Sequence, residues 1–415
     1  MTHASKIFLK DGEDEFTYGD LAKFVSGASA YFPVIKTASI KDFFYRLVLA
    51  LANNKDVLLA DEDFKQDNPE LKKAGFLSDE DRKLAPGECF KDVDLLISAV
   101  EKSTSNIVLF SSGTSGQRKI VSHQMQSFLR SVRKSATSSK DLWGFAYNPA
   151  HMAGLQVFFQ AFLNANTLVN LFGKGKEEIF SLVDKNSITH ISATPTFYRM
   201  LFPENNTHRS LRRITCGGEK SGASLHAKLL RIFPNARINN IYAATEFGTL
   251  LVSDGEYFAI SPECSGKIKI EDSELLVSGK LLGKITGGEG VNPPCADGWY
   301  KTGDMVEFAD KERRLFKFTA RKKNFLNVGG YKVNIEEVED AIRQMPQIED
   351  ALVYGRKNSV TGNVLCADIK LLPGSELSQR DVRIFLEAKL QNFKIPRKIN
   401  FVGAMERTNS GKIKR

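Results

Sequence analysis

The sequence predicts an α/β protein: a large N-terminal module of helix-covered, mostly parallel sheets with a β-rich subdomain, followed by a small α+β module. Three observations carry this reading. Short β-rich runs alternate with helical patterns through most of the chain, the arrangement that builds a parallel sheet with helices on its faces. From about residue 250 to 318 the helical patterns give way to short strands and turns. After Ala320 a separate pattern begins and the charge changes with it: residues 321–415 hold 18 Lys+Arg against 11 Asp+Glu, a net +7, which leaves 40 against 38 for residues 1–320.

The strand signals of the large module are IVLF (107–110), TLVNLF (167–172), ITHISA (188–193), RRITCGG (212–218) and ARINNIYA (236–243), each bounded by Gly, Asn or Asp. Helix-like stretches such as GLQVFFQAFLNA and SLHAKLLRIF fall between them. YFAI, KIKIED, ELLVSGK and LFKFTA make the β-rich subdomain. The tail reads as a helix over 335–345, strands at ALVYG and CADIKLL, a helix from Ser378 to Leu390 with Asp381 at the capping-box distance, and a last strand KINFVG. The expected division is therefore 1–320 and 321–415, the second piece being of ordinary small-domain size. No internal repeat or low-complexity linker interrupts either piece.

A chain of 415 residues, 42% of them hydrophobic, exceeds the roughly 250–300 residues over which one core keeps growing. The most apolar N-terminal run, FFYRLVLALANN, carries Arg46 and is short of the roughly 20 residues of a membrane span, so neither a signal peptide nor a membrane helix is expected. The five cysteines, Cys89, Cys216, Cys264, Cys295 and Cys366, are scattered without a CxxC pair or a histidine cluster. That pattern indicates neither a zinc site nor a disulfide frame and sets the expectation of a reducing, cytoplasmic setting. The basic tail points to a phosphorylated or acidic partner. Nucleic acid is not expected as that partner, because zinc-finger spacing, RNP-like runs and helix-turn-helix signals are all missing from the sequence.

The loop after IVLF reads SSGTSGQRK. A Walker P-loop places Lys directly after its last Gly and a hydroxyl after the Lys. Here Lys119 stands three residues after Gly116 and Ile120 follows it, so the Walker reading fails on spacing. What remains is a loop with hydroxyls at Ser111, Ser112, Thr114 and Ser115, small residues at Gly113 and Gly116, and Arg118 and Lys119 as charges for phosphate oxygens. Elsewhere Thr245 and Glu246 stand just past a strand end, where α/β sheets bind ligands and where a hydroxyl and a carboxylate suit a phosphate and Mg²⁺. Asp304 in TGD can accept both hydroxyls of a ribose, and Arg321 can donate to the same sugar.

Taken together, these segments resemble, in order, the motifs of the AMP-forming adenylating superfamily, which includes acyl-CoA and aryl-CoA ligases, adenylation domains and luciferases. SSGTSGQRK is similar to its phosphate loop, CGGEK (216–220) to its Gly-Gly-Glu/Ala stretch, IYAATEFG (241–248) to Tyr-Gly-x-Thr-Glu and DGWYKTGD (297–304) to its signature. ARKKNFLNVGGYKVNIEEVE (320–339) resembles the family hinge, and TNSGKIKR (408–415) the terminal lysine segment. The resemblance implies an acid–thiol ligase using ATP, Mg²⁺ and CoA on a small carboxylic acid.

On that resemblance, Lys412, Glu246, Thr245 and Lys119 are catalytic and Glu246 holds the metal. Gly217, Gly218, Glu219, Tyr242, Asp304 and Arg321 join residues 111–116 at the nucleotide, while Gly330 and Lys332 lie along the CoA path. His151 in PAHMAGL and Ala243 fall in the acyl pocket, Lys323 is the hinge, and Phe158, Tyr242 and Phe247 suit an aromatic or medium-chain acid. An acidic carrier protein is the alternative thiol donor, and a protein that holds AMP without turnover is a further alternative. The joint presence of Glu246, Asp304, Arg321 and Lys412 argues against the latter. The sequence departs from the family pattern at Arg118, Ile120 and Ala243. It also has only about 105 residues before the phosphate loop, short of the family norm, so a homodimer surface and the full pocket wall are not carried over.

Overall fold

The computed structural model describes residues 3–61, 76, 82–84, 90, 92–110, 119–135, 138, 140–286, 297–328, 331–358, 362–407 and 413. Three large sheets and a two-stranded one, Ala30–Tyr31 with Arg82–Lys83, make up the large module among the described residues. The first has eight strands, and its six central ones run parallel: Ile7–Asp11, Thr167–Asn170, Leu142–Phe145, His190–Ala193, Arg213–Gly217 and Arg237–Ala244. Antiparallel edge strands Asp14–Thr17 and Gly248–Ser253 close it. The second has five strands, with Val34–Ile35, Val57–Leu59 and Asn106–Phe110 parallel and Ile120–Gln124 and Lys284–Thr286 antiparallel. The third, also of five strands and wholly antiparallel, is the β-rich subdomain.

The strand runs read from the sequence fall where the strands are, and the helices between them bury their apolar stripes on the sheets. Helix Ile40–Ala52, the FFYRLVLALANN segment, is capped by Ser39 and buries nine of its 13 residues. Helix Met152–Phe162 packs beside it, and their aromatic rings, with Phe8 and Tyr18, fill the core. Phe158 belongs to this stack, lying 4.6 Å from Phe44 and fully buried. That overturns the expectation of Phe158 as a pocket wall: eight of the helix's 11 residues are buried, and the sheet rather than a ligand takes this face. Among the described residues no helix is long and apolar enough to cross a membrane.

The last module has its own core, from Val333 to Ile399, under a three-stranded sheet of Ile348–Asn358, Gly362–Leu371 and Lys398–Phe401. Its second helix, Gln379–Glu387, starts at Ser378 in a capping box completed by Asp381, as its sequence predicts. Its first, Ile335–Ile342, is one turn shorter than the expected 335–345. Gln344 and Met345 instead lead through a turn into the next strand, where Ile348 N donates back to Met345 O.

Candidate active site

Parallel strands deliver the candidate residues to one edge, because the loops at the carboxyl ends of such strands converge. Arg213–Gly217 runs into Gly218–Glu219, and Arg237–Ala244 runs into Thr245–Glu246. Gly218 has φ +81°, a left-handed turn at which a side chain would be strained. Asn106–Phe110 ends where the serine-rich loop begins, and Lys119 stands at the loop's exit. Ser111, Ser112, Gly113, Thr114, Ser115, Gly116, Gly330 and Lys412 lie outside the described residues, as does the side chain of Lys323.

The tightest part of the site comes from the antiparallel subdomain. Strands Trp299–Phe308 and Leu315–Arg321 pair with Asp304 opposite Arg321, so backbone register places the guanidinium on the carboxylate. Arg321 Nε donates to Asp304 Oδ1 at 2.8 Å, and Tyr242 Oη donates to Asp304 Oδ2 at 2.6 Å. Burial opposes the charge on Arg321, but Asp304 holds it above the usual arginine range. Burial, reinforced by the same carboxylate, pushes the Tyr242 hydroxyl well up, so it remains a donor. Its ring stacks on Phe318 at 4.3 Å. Glu274, almost fully buried, supports the TGD turn from behind by accepting from Gly303 N and Lys322 Nζ, both at 2.8 Å.

Lys119 Nζ lies 3.8 Å from Glu246 Oε1, with both side chains partly exposed. Tyr300, on the strand of Asp304, stands near both groups: burial first, then the Glu246 and Asp304 carboxylates, raise its pKa. Sequence reasoning did not single out Tyr300. The signal was its place in WYKTGD, close before Thr302 and Asp304 on one strand.

Glu219 turns inward. Its Oε2 accepts from Thr196 N at 3.2 Å and Thr196 Oγ1 at 2.7 Å, with Arg199 Nη1 3.6 Å away. Its Oε1 is buried with no partner among the described residues, an acceptor left open beside Gly217 and Gly218. Next to it, Lys220 Nζ reaches Asp340 on the first helix of the small module at 3.0 Å.

Other candidates stand apart from this group. His151 stands just before helix Met152–Phe162 without a side-chain capping bond, and its Nε2 lies 3.0 Å from Asp61 Oδ1, which also accepts from Asn148 Nδ2 at 2.8 Å. Its partner therefore comes from the segment after the second sheet's strand Val57–Leu59. Ala243 sits at a bulge where the pairing with Gly248–Ser253 slips. Lys332 holds its ammonium 4.7 Å over the Phe325 ring and lines a cleft of about 410 Å³ with Lys322, Glu307 and Phe308. None of Lys119, Glu246, Asp304 and Arg321 lines that cleft.

Comparison with known proteins identifies the class. Residues 26–276 match the model of the AMP-binding enzyme family, and residues 337–412 match the AMP-binding enzyme C-terminal domain. The chain belongs to the AMP-binding enzyme family. Over 351 residues it is 27% identical to the 3-[(3aS,4S,7aS)-7a-methyl-1,5-dioxo-octahydro-1H-inden-4-yl]propanoyl:CoA ligase of Rhodococcus jostii, covering 80% of this chain and 68% of that protein. Over 337 residues it is 26% identical to the 2-succinylbenzoate–CoA ligase of Listeria monocytogenes, covering 77% and 71%. The o-succinylbenzoate CoA synthetase of Bacillus subtilis, solved with ATP and a magnesium ion, shares the fold at a TM-score of 0.71 and 19% identity over 99% of this chain and 95% of that one.

Proposed function

We propose that this chain is an AMP-forming acid–CoA ligase. In the first step a carboxylate oxygen attacks the α-phosphorus of ATP; the bond from that phosphorus to the bridging oxygen breaks, and pyrophosphate leaves an acyl-adenylate behind. In the second step the thiol of CoA attacks the acyl carbon, its proton passes to solvent, and AMP departs from the thioester. The observation that carries this reading is the Asp304–Arg321–Tyr242 cluster beside Lys119 and Glu246, within a chain matched to the AMP-binding family.

The residues fit the nucleotide in kind. Asp304 spends one bond on each oxygen, and a carboxylate has about four acceptor sites, so both ribose hydroxyls can still be received. The open Glu219 Oε1 suits an exocyclic amine of adenine. Among the described residues no three His, Cys, Asp or Glu side chains converge on a metal position. A single carboxylate at Glu246 matches the habit of Mg²⁺, which takes one or two protein carboxylates and fills its remaining positions with phosphate and water. When bound, the metal neutralises charge on the phosphates.

Lys119 then balances the charge of Glu246 and of a phosphate oxygen, Thr245 offers a hydroxyl to the α-phosphate, and Lys412 stabilises charge between carboxylate and phosphorus. The small module turns at Lys323 between the steps, bringing Gly330 and Lys332 to the CoA path. Its net +7 suits the CoA phosphates, and the CoA ligases among the relatives favour CoA over a carrier protein. The two relatives named above are ligases of acids bearing rings, which favours a cyclic or aromatic carboxylic acid as the substrate class. The free thiols Cys216, Cys264 and Cys366 suit a reducing cytoplasm.

Acid-dependent ATP–pyrophosphate exchange across a panel of carboxylic acids, followed by thioester formation with CoA and with a holo carrier protein, tests this. Exchange and a CoA thioester are expected; exchange with a thioester only on the carrier would reassign the acceptor, and AMP binding without exchange would refute the ligase.

A further inference from the structure

Three consecutive peptide carbonyls around Glu246, in the turn between strands Arg237–Ala244 and Gly248–Ser253, are gripped from outside those strands. Thr245 O accepts from His123 Nε2 at 2.7 Å, Glu246 O from Gly283 N at 2.9 Å and Phe247 O from Arg130 Nη2 at 2.9 Å. The same guanidinium nitrogen donates to Leu281 O at 3.1 Å. The donors form one piece of structure. His123 lies on strand Ile120–Gln124, Arg130 ends the short helix Met125–Leu129, and Gly283 immediately precedes strand Lys284–Thr286, which pairs with the His123 strand. His123 lies in the second sheet and the other two on segments joined directly to it, while Glu246 hangs from the first. Lys119 leads directly into the gripping strand, so the grip also sets the spacing between Lys119 and Glu246.

The chemistry of His123 shows what the ring is for. It is completely buried, with its edge against Phe128. Facing a carbonyl, Nε2 must carry the hydrogen, which leaves Nδ1 as an acceptor, and that atom is buried without a partner among the described residues. An unpaired buried acceptor is destabilising, and an aromatic hydrocarbon would fill the slot without it. The bond to Thr245 is what a histidine adds there. Gly283 presses on the same ring: a Cβ on it would come within 2.6 to 2.8 Å of Cε1, Nδ1 and Nε2.

We propose that His123, Arg130 and Gly283 are positioning residues that act through the 245–247 backbone to hold Thr245 and Glu246 toward Lys119. This inference rests on reading Thr245 and Glu246 as the pair that faces Mg·ATP. Carboxylates at such sites must be placed to within about 0.5 Å to be effective, and three backbone bonds supply that constraint where the ion pair itself, at 3.8 Å, is loose.

The test uses the full chain carrying His123→Ala, Gly283→Ala, the double variant, Arg130→Gln and, as reference, Glu246→Gln. It reads kcat and KM for pyrophosphate exchange, and calorimetric Kd values for ATP with and without Mg²⁺. Gly283→Ala and His123→Ala are each expected to lower kcat about 10- to 100-fold, the range of a misplaced catalytic group, with KM for the acid changed less than about threefold. Mg²⁺ should tighten ATP binding less in both, as in Glu246→Gln. The decisive outcome is the double variant, expected to be no worse than His123→Ala alone, because removing the ring makes room for the new methyl.

Additive losses in the double variant, or wild-type kcat in folded His123→Ala and Arg130→Gln beside a disabled Glu246→Gln, would overturn the grip. An undisturbed Glu246→Gln would instead refute the assignment of Glu246. If His123→Ala does not fold, Arg130→Gln, altered at an exposed side chain, decides by the same kcat and Mg²⁺ readouts.

Discussion

The two ends of the eight-stranded sheet use the same kinds of side chain to opposite effect. At the amino ends Asp141 is enclosed by its own partners, one cation and one imidazole: Arg212 Nη2 donates to Oδ1 at 3.0 Å and His190 Nε2 lies 3.8 Å from Oδ2. His190 is further fixed by stacking on Trp143 at 4.7 Å and by Thr189 Oγ1 at 2.8 Å. At the carboxyl ends Glu219 keeps an open oxygen, and Glu246 has a cation only at 3.8 Å. Charge that is closed on itself stabilises a fold, whereas charge left partly open at converging strand ends is available to a ligand. Mutation should therefore separate stability from activity according to the end of the sheet it falls on.

The strongest expected breach of that separation is Asp304→Asn. It weakens the acceptor shared by Tyr242 and Arg321, whose side chain is 47% exposed, and impairs the proposed ribose acceptor, so pyrophosphate exchange should fall about 10²- to 10³-fold, with a modestly lower Tm, since two hydrogen bonds to a buried carboxylate are weakened. Kinetics and thermal melts on one preparation check both. Glu246→Gln is expected to cost about 10²-fold in exchange while leaving Tm near wild type, because its ion pair is long and partly exposed. A large fall in Tm would place Glu246 with the structural charges.

At the other end the effect should appear only in stability. Burial first of all depresses the His190 pKa to about 4 from an ordinary 6.5. Between these values the unfolded chain binds a proton that the folded chain refuses, so stability falls as pH drops from 6.5 toward 4 and is flat above. Denaturant titrations of His190→Asn should lose that slope, with exchange at pH 8 unchanged. The smallest effect belongs to the Lys220–Asp340 bridge, where both side chains are roughly two-fifths exposed. Lys220→Ala should change stability by about 0.5 kcal/mol or less.

The sequence showed where strands end and which residues stand at those ends, because Gly, Asn and Asp punctuate the chain locally. Asp304 and Arg321 were legible as residues of one site, but not their bond to each other, which comes from their facing positions on one hairpin, 17 residues apart. Lys119 with Glu246, and His123 with Thr245, were not, since each pair joins two sheets whose contact no local pattern encodes. Phe158 misled for the related reason that an aromatic helix face looks alike whether a sheet or a ligand covers it. The pairing of His151 with Asp61 was equally hidden, 90 residues apart on separate strands' loops.

Arg321 closes the strand opposite Asp304, and only three residues later Asn324 is buried and bonded to Glu336 at 2.8 Å. Between these two anchors lie Lys322 and Lys323, and so just four soft backbone dihedrals. On the proposed turn at Lys323, a swing of the small module would be nearly a one-joint motion, its range set by two ψ/φ pairs and resisted by the Lys322–Glu274 and Asn334–Thr319 bonds. Proline at either residue would freeze one of those four coordinates, turning the proposed two-position device into a single-position one while leaving Asp304 where it is.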